Sequence, residues 1–191
     1  MIAACSDPEG SSFAPVSQAS TTPTTRTSSV SETSATTSST SALFATYRLG
    51  FANLGPVKVG MTFDEAEVAA GVSLNEGEPI SEGCDTWSPG NQTVTFLAVN
   101  GRLATITVGA PFMTVDGISV GVTRDEIAAV YGDAQLQERT NRFAVREIVV
   151  TPTDPELDEY VMVFLFSTMG EGVESIRARL AAEMVRDEGC A

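Results

Sequence analysis

Val59-Gly60-Met61-Thr62-Phe63-Asp64-Glu65 and Val120-Gly121-Val122-Thr123-Arg124-Asp125-Glu126 share one pattern, and each runs on to a glycine, Gly71 or Gly132. The matched positions stand 61 apart throughout: Gly60 and Gly121, Thr62 and Thr123, Glu65 and Glu126, Gly71 and Gly132. A fixed spacing of this kind marks an internal duplication. Thr followed three residues later by Glu is a capping box. The hydroxyl accepts from the N3 amide and the carboxylate reaches back to the N-cap amide. The pairs Asp64/Glu65 and Asp125/Glu126 also place negative charge where a helix N-terminus favours it. Val122 with Ile127, and less strongly Met61 with Ala66, can close a hydrophobic staple. Gly71 and Gly132 stand where a left-handed C′ residue ends a helix. The pattern therefore predicts short helices over 63–70 and 124–131. A phosphate-loop reading fails, because the Lys and the glycine density of such loops are missing.

Outward from these helices the chain reads as strands. Thr93 to Val99, the dipeptide Asn100-Gly101, and Leu103 to Val108 form a hairpin signal, Asn-Gly between β-branched apolar runs. A short piece around Cys84 to Trp87 precedes it. After the second helix come Phe143 to Thr151, an acidic loop from Pro152 to Glu159, Tyr160 to Ser167, a turn at Gly170 and Gly172, and Val173 to Leu180. Each repeat thus reads as one helix followed by three antiparallel strands, at about 54–110 and 115–180. Neither unit buries its own face, so the two are expected to join. The expected fold class is α+β, an antiparallel sheet of about six strands with the helices packed on one face.

In the strand beginning at Tyr160, one face carries Tyr160, Met162, Phe164 and Phe166 and the other Val161, Val163 and Leu165. Both are apolar. Either the strand is central between two layers, or one face is a contact surface. The candidate partner-binding surface is Tyr160, Met162, Phe164 and Phe166.

Residues 6–42 are dominated by Ser and Thr with scattered Pro. They cannot bury enough apolar surface to offset the entropy of ordering, so they read as a disordered stalk. The remainder, 43–191, is large enough for a single core, and the apolar run from Leu43 opens it. The chain has a formal net charge of −14. Asp7, Glu9 and Glu32 against Arg26 leave the stalk at −2 and the domain at −12. Such a field repels nucleic acid and anionic lipid surfaces, so no nucleic-acid partner is expected.

At the start, Met1-Ile2-Ala3-Ala4-Cys5-Ser6 resembles the lipobox of bacterial lipoproteins, whose cysteine receives diacylglycerol. That resemblance implies lipid attachment at Cys5 and an extracytoplasmic face of the cell membrane, with the basic and apolar parts of the signal upstream of Met1. Three cysteines are present. With Cys5 acylated, Cys84 and Cys190 are left to pair in an oxidising compartment. Closing a loop of about a hundred residues stabilises by up to about 4–5 kcal/mol through loop-closure entropy.

The tandem helix starts, closing glycines and following antiparallel strands resemble the β-lactamase inhibitory protein fold. In single copy they resemble the small lipoprotein of the outer-membrane assembly machinery. The whole is similar to secreted lipoproteins of high-GC Gram-positive bacteria. The resemblance spans about residues 54–180 and implies a concave sheet face, secretion and protein binding. It departs from the inhibitor in its cysteines, since a Cys84–Cys190 bond would tie the two halves together.

Chemistry is sparse. The chain has no His, which removes Ser-His-Asp and Cys-His nucleophile systems and the commonest metal ligand. The acidic loop Asp154-Pro155-Glu156-Leu157-Asp158-Glu159 lacks the glycine and spacing of a calcium loop. Asn91-Gln92-Thr93 has the form of a glycosylation sequon only. No catalytic residue, metal or cofactor is assigned. The expectation is a non-enzymatic envelope lipoprotein that presents a protein-binding module. The alternative is a carrier or sensor that holds a lipid or small molecule on an apolar sheet face.

Overall fold

The computed structural model describes residues 44, 46–90, 93–168, 170–184 and 190. The lipobox with Cys5, the stalk at 6–42 and the Asn91-Gln92 part of the sequon lie outside the described residues.

Both helices form where their caps place them, α1 (Phe63–Ala70) and α2 (Arg124–Tyr131). At α1 the Thr62 N–H donates to Glu65 Oε2 at 2.8 Å, and Thr62 Oγ1 accepts the Glu65 N–H at 3.4 Å. At α2 the Glu126 carboxylate accepts both the Thr123 N–H at 2.8 Å and the Thr123 hydroxyl at 2.9 Å. Gly71 takes the expected left-handed conformation, φ 67° and ψ 21°. Gly132 does not. Its φ is 82° but its ψ is 143°, because the chain extends there before a 3₁₀ turn at Asp133–Gln135.

A small hairpin, β1 (Asn53–Leu54) with β2 (Val57–Lys58), leads into α1. After α1 come β3 (Asn75–Glu76), β4 (Cys84–Ser88), β5 (Val94–Val99) and β6 (Arg102–Val108). After α2 come β7 (Leu136–Thr140), β8 (Arg146–Val150), β9 (Tyr160–Phe166) and β10 (Val173–Leu180). These form one eight-stranded antiparallel sheet in the order β3-β4-β5-β6-β10-β9-β8-β7. Each helix is thus followed by four strands where the sequence pattern predicts three. β3 is two exposed residues long, and β7 reads Leu-Gln-Glu-Arg-Thr with one apolar position, so neither has a periodicity to detect. The strand expected from Phe143 begins instead at Arg146, and Phe143 lies in the β7–β8 connection. Asn100 and Gly101 both have positive φ, 51° and 74°, as the tight hairpin turn requires.

The two halves meet where β6 pairs with β10, and they match in register. Phe96 pairs with Ile106 in one hairpin and Phe164 with Ile176 in the other, while Trp87 pairs with Phe96 as Ile148 does with Phe164. The approach to each helix is tied to the last strand of its half. Gly60 N–H donates to Leu103 O and Leu103 N–H to Met61 O, at 2.7 and 2.8 Å. Gly121 N–H donates to Val173 O and Val173 N–H to Val122 O, at 2.8 and 2.9 Å.

The main core lies between the helices and one face of the sheet. Ala66 of α1 and Ile127 of α2 are fully buried there with Trp87, Phe96, Ile148 and Ile176. Phe44 packs into the same core, 6.2 Å from the Phe96 ring and 5.7 Å from Tyr47. The expected partner-binding residues belong to this core too. Met162, Phe164 and Phe166 are fully buried under the helices, and Tyr160 is half-buried against them. The correction has a simple cause: both faces of β9 are apolar, and burying the larger aromatic side chains removes more area from water. The opposite face carries a smaller cluster of Val149, Val161, Val163 and Leu165.

Cys84 and Cys190 form a disulfide with an S–S distance of 2.06 Å across a separation of 106 residues, tying β4 to the end of the chain. Disulfides of this kind persist in oxidising compartments.

Candidate functional site

The face of the sheet away from the helices is built in rows, because antiparallel partners point to the same side. One row runs Thr86, Leu97, Thr105, Arg179 and Val161. The next runs Thr95, Thr107, Arg177, Val163 and Val149. A third brings Ser175, Leu165, Glu147 and Arg139 together. The alternation that produces these rows is plain in β10, where Ser175, Arg177 and Arg179 interleave with Ile176, Ala178 and Leu180. The members of the first two rows that lie on β4, β5, β6 and β10 floor a half-open groove of about 300 Å³.

Two connections stand at its rims. The β3–β4 connection contributes Ile80, 55% exposed, and the β7–β8 connection contributes Phe143, 63% exposed, with Val145 below it. Large apolar side chains left in water on both sides of one groove are the usual mark of a contact surface.

The β7–β8 rim is held by a buried polar network. Glu147, 1% exposed, receives Arg139 at 2.7 Å on Oε2 and the Asn141 amide at 2.9 Å on Oε1. Asn141 Oδ1 in turn accepts the N–H groups of Phe143 and Val145, each at 3.0 Å. Both oxygens of a buried carboxylate are thereby satisfied, which is the condition for tolerating it. The same bonds fold the connection into a compact turn, and Arg142 stacks 5.0 Å above the Phe143 ring. Phe143 is therefore presented from a braced turn.

The charged side chains that line this groove among the described residues are basic. Arg177 and Arg179 line it, and no Asp or Glu among the described residues does, in a chain of net charge −14.

Other hollows in the surface are more open than this groove. Lys58, Val59, Met61, Val68 and Ala69 flank a shallow apolar hollow on α1. Tyr131 donates to Asp116 at 2.8 Å beside a small surface pocket. Burial raises the pKa of that phenol well above its ordinary range; the Thr114 hydrogen bond opposes the shift and the neighbouring Asp116 carboxylate adds to it. In the acidic loop, Asp154 caps a 3₁₀ turn at Pro155–Leu157 by accepting the Glu156 N–H at 2.9 Å. Among the described residues no three His, Cys, Asp or Glu side chains gather as a metal-ligand set.

Of the residues singled out from sequence, Cys84 and Cys190 are bonded as expected, and Cys5 lies outside the described residues. The groove residues were missed. The polar–apolar alternation Ser-Ile-Arg-Ala-Arg-Leu in β10 names the side away from the core, and β9 inherits it through the pairing of Arg177 with Val163. Nothing in the sequence announces that Ile80 and Phe143 flank one groove.

No family model matches the chain, and no curated protein matches it. Among solved structures, it is similar to an extracellular protein containing a SCP domain from Bacillus anthracis str. Ames, with 11% identity and a TM-score of 0.46. The similarity covers 67% of this chain and 46% of that one, so the chain spans just under half the length of the protein it matches.

Proposed function

We propose that this chain is a non-enzymatic cell-envelope lipoprotein, anchored through Cys5, that presents two copies of a helix-plus-four-strand unit as a protein-binding module. The docking surface is the open face of the sheet, in place of the Phe164 face expected from sequence. One observation carries the reading: Ile80 and Phe143, on connections that occupy corresponding places in the two halves, both stand exposed at the rims of one groove. The Cys84–Cys190 bond supports an extracytoplasmic site. The matched registers of the two hairpins support the duplication.

A groove of about 300 Å³ sits at the lower bound for small-molecule pockets and is half-open, which favours a protein segment over a carried lipid. The test is a photocrosslinking amino acid placed at position 143 or, on the exposed acidic loop, at position 158, in cells that make the protein. A defined adduct from 143, absent from 158 and lost on Ile80→Ser, is the expected result. Equal adducts from both positions would remove the groove from the reading.

A further inference from the structure

The two rims of the groove are held in different ways. Phe143 stands on a turn braced by the buried Asn141 and Glu147 side chains. On the other side every residue from Asn75 to Gly83 is exposed, so the segment that carries Ile80 sets no side chain into the core. Backbone bonds fold it against β4. Gly77 N–H donates to Thr86 O at 2.6 Å, Ile80 N–H to Cys84 O at 2.9 Å and Cys84 N–H to Ser81 O at 3.0 Å. The side-chain hydrogen bond that fastens it among the described residues runs from the Ser81 hydroxyl to the Cys190 carbonyl. Cys190 is in turn joined to β4 through its disulfide to Cys84. The attachments of the rim thus converge on one covalent bond: Ile80 and Ser81 meet the backbone of Cys84, and Ser81 also meets that of Cys190. Cys84 stands two residues from Thr86 on β4, on the groove side of the sheet.

We propose that the Cys84–Cys190 disulfide is a redox latch on the docking groove. Oxidised, it holds the Ile80 rim in place for a partner segment; reduced by a dithiol, it loosens that rim and releases the partner. This rests on the protein-binding reading above. Cys84 is fully buried and Cys190 half-buried, so an incoming thiolate reaches the sulfur of Cys190. A mixed disulfide forms there, the Cys84–Cys190 bond breaks, and Cys84 leaves as the thiolate. The second thiol of the reductant then attacks the mixed disulfide, which frees Cys190 and leaves the reductant as a cyclic disulfide. Two electrons pass from the dithiol to the protein, and the two cysteine sulfurs take up the two protons that the dithiol gives up. With Cys190 released, the Ser81 hydroxyl loses its partner, and the exposed backbone bonds of the rim are left to open by themselves. The Phe143 rim contains no sulfur in its brace and stays as it is.

The test compares the oxidised protein with protein reduced by dithiothreitol and capped with iodoacetamide, alongside Ser81→Ala and Cys84→Ala/Cys190→Ala. Hydrogen exchange is read at Ile80 and Cys84 for one rim, at Phe143 and Val145 for the other, and at Phe164 for the fold as a whole. Reduction should accelerate Ile80 and Cys84 about tenfold or more beyond the change at Phe164, with Phe143 and Val145 showing no such excess. Ser81→Ala keeps the disulfide, so it reads the rim without loss of the global constraint. It should accelerate the same two amides by a smaller factor, and wild-type exchange there would overturn the latch. In envelope preparations carrying the photocrosslinking residue at position 143, the defined adduct should fall about fivefold or more on reduction. Cys84→Ala/Cys190→Ala should give the low level without reductant. Equal excess at both rims, an adduct unchanged by reduction, or a full-strength adduct from the double variant would overturn the latch and leave the docking surface standing. No defined adduct from the oxidised protein would overturn the docking surface itself, and the latch with it.

Discussion

The side chain of Asn141 bridges the buried Glu147 carboxylate to the backbone of its own connection. It donates to Glu147 at 2.9 Å and accepts from the N–H groups of Phe143 and Val145 at 3.0 Å each. This links the exposed aromatic rim of the groove to the floor of the sheet. Among the described residues Asn141→Ala leaves Glu147 with Arg139 alone, and it frees two amides. It should cost about 1–3 kcal/mol of stability. Hydrogen exchange at Phe143 and Val145 should accelerate by more than the global loss accounts for, which a purely global effect would not produce.

Phe164 and Phe143 should respond oppositely to truncation. Phe164 is fully buried beneath the helices, so Phe164→Ala should cost about 3–5 kcal/mol in a denaturant titration. Phe143 is largely exposed, so Phe143→Ser should stay within about 0.5 kcal/mol of wild type. A stable Phe164→Ala protein would place the exposed face of the sheet on the other side.

Reducing the Cys84–Cys190 bond releases a constraint across 106 residues of sequence separation. Cys84→Ala/Cys190→Ala should lower stability by about 2–5 kcal/mol. A reductant should lower the melting temperature of wild type and leave that of the variant unchanged.

The helix caps make stability depend on pH. Thr62 holds the Glu65 carboxyl below its usual range, chiefly through the backbone hydrogen bond, and Thr123 does the same for Glu126. A lowered folded-state value means the contribution is complete above the unfolded value of about 4.3 and is lost as pH falls through the folded one. Glu65→Gln/Glu126→Gln should therefore be less stable than wild type near neutrality. The gap should close as pH falls through the lowered folded-state values, once the wild-type carboxylates are protonated. A gap of constant size across the acid range would remove the charged caps from the account.

With an upstream signal supplied, Cys5→Ala should move the protein from the membrane fraction to the soluble one, because lipidation is the anchor proposed for it. An unchanged membrane fraction would rule the anchor out.

What was legible in the sequence is what local interactions decide. Thr62 with Glu65 and Thr123 with Glu126 are three residues apart, so the helix starts follow from neighbouring chemistry. Asn100-Gly101 sets its hairpin through backbone conformations that few other residues adopt. The strands that escaped, β3 and β7, are edge strands with hardly an apolar residue facing the core, and their existence depends on a neighbouring strand supplying hydrogen bonds. Phe143 reads as strand from the sequence because it leads an apolar run. The turn that removes it from β8 is made by Asn141 and Glu147, a contact set by the folded sheet.

The sequence by itself determined two capped helices, the central hairpins and an α+β class, and its cysteine count pointed to the Cys84–Cys190 pair. Only the tertiary structure decided which side of β9 lies under the helices and which lies open. An alternating strand reports its buried side only when the two sides differ in polarity. In Tyr160–Phe166 they do not, so the choice falls to the packing of α1 and α2 and to the register that brings Arg177 beside Val163.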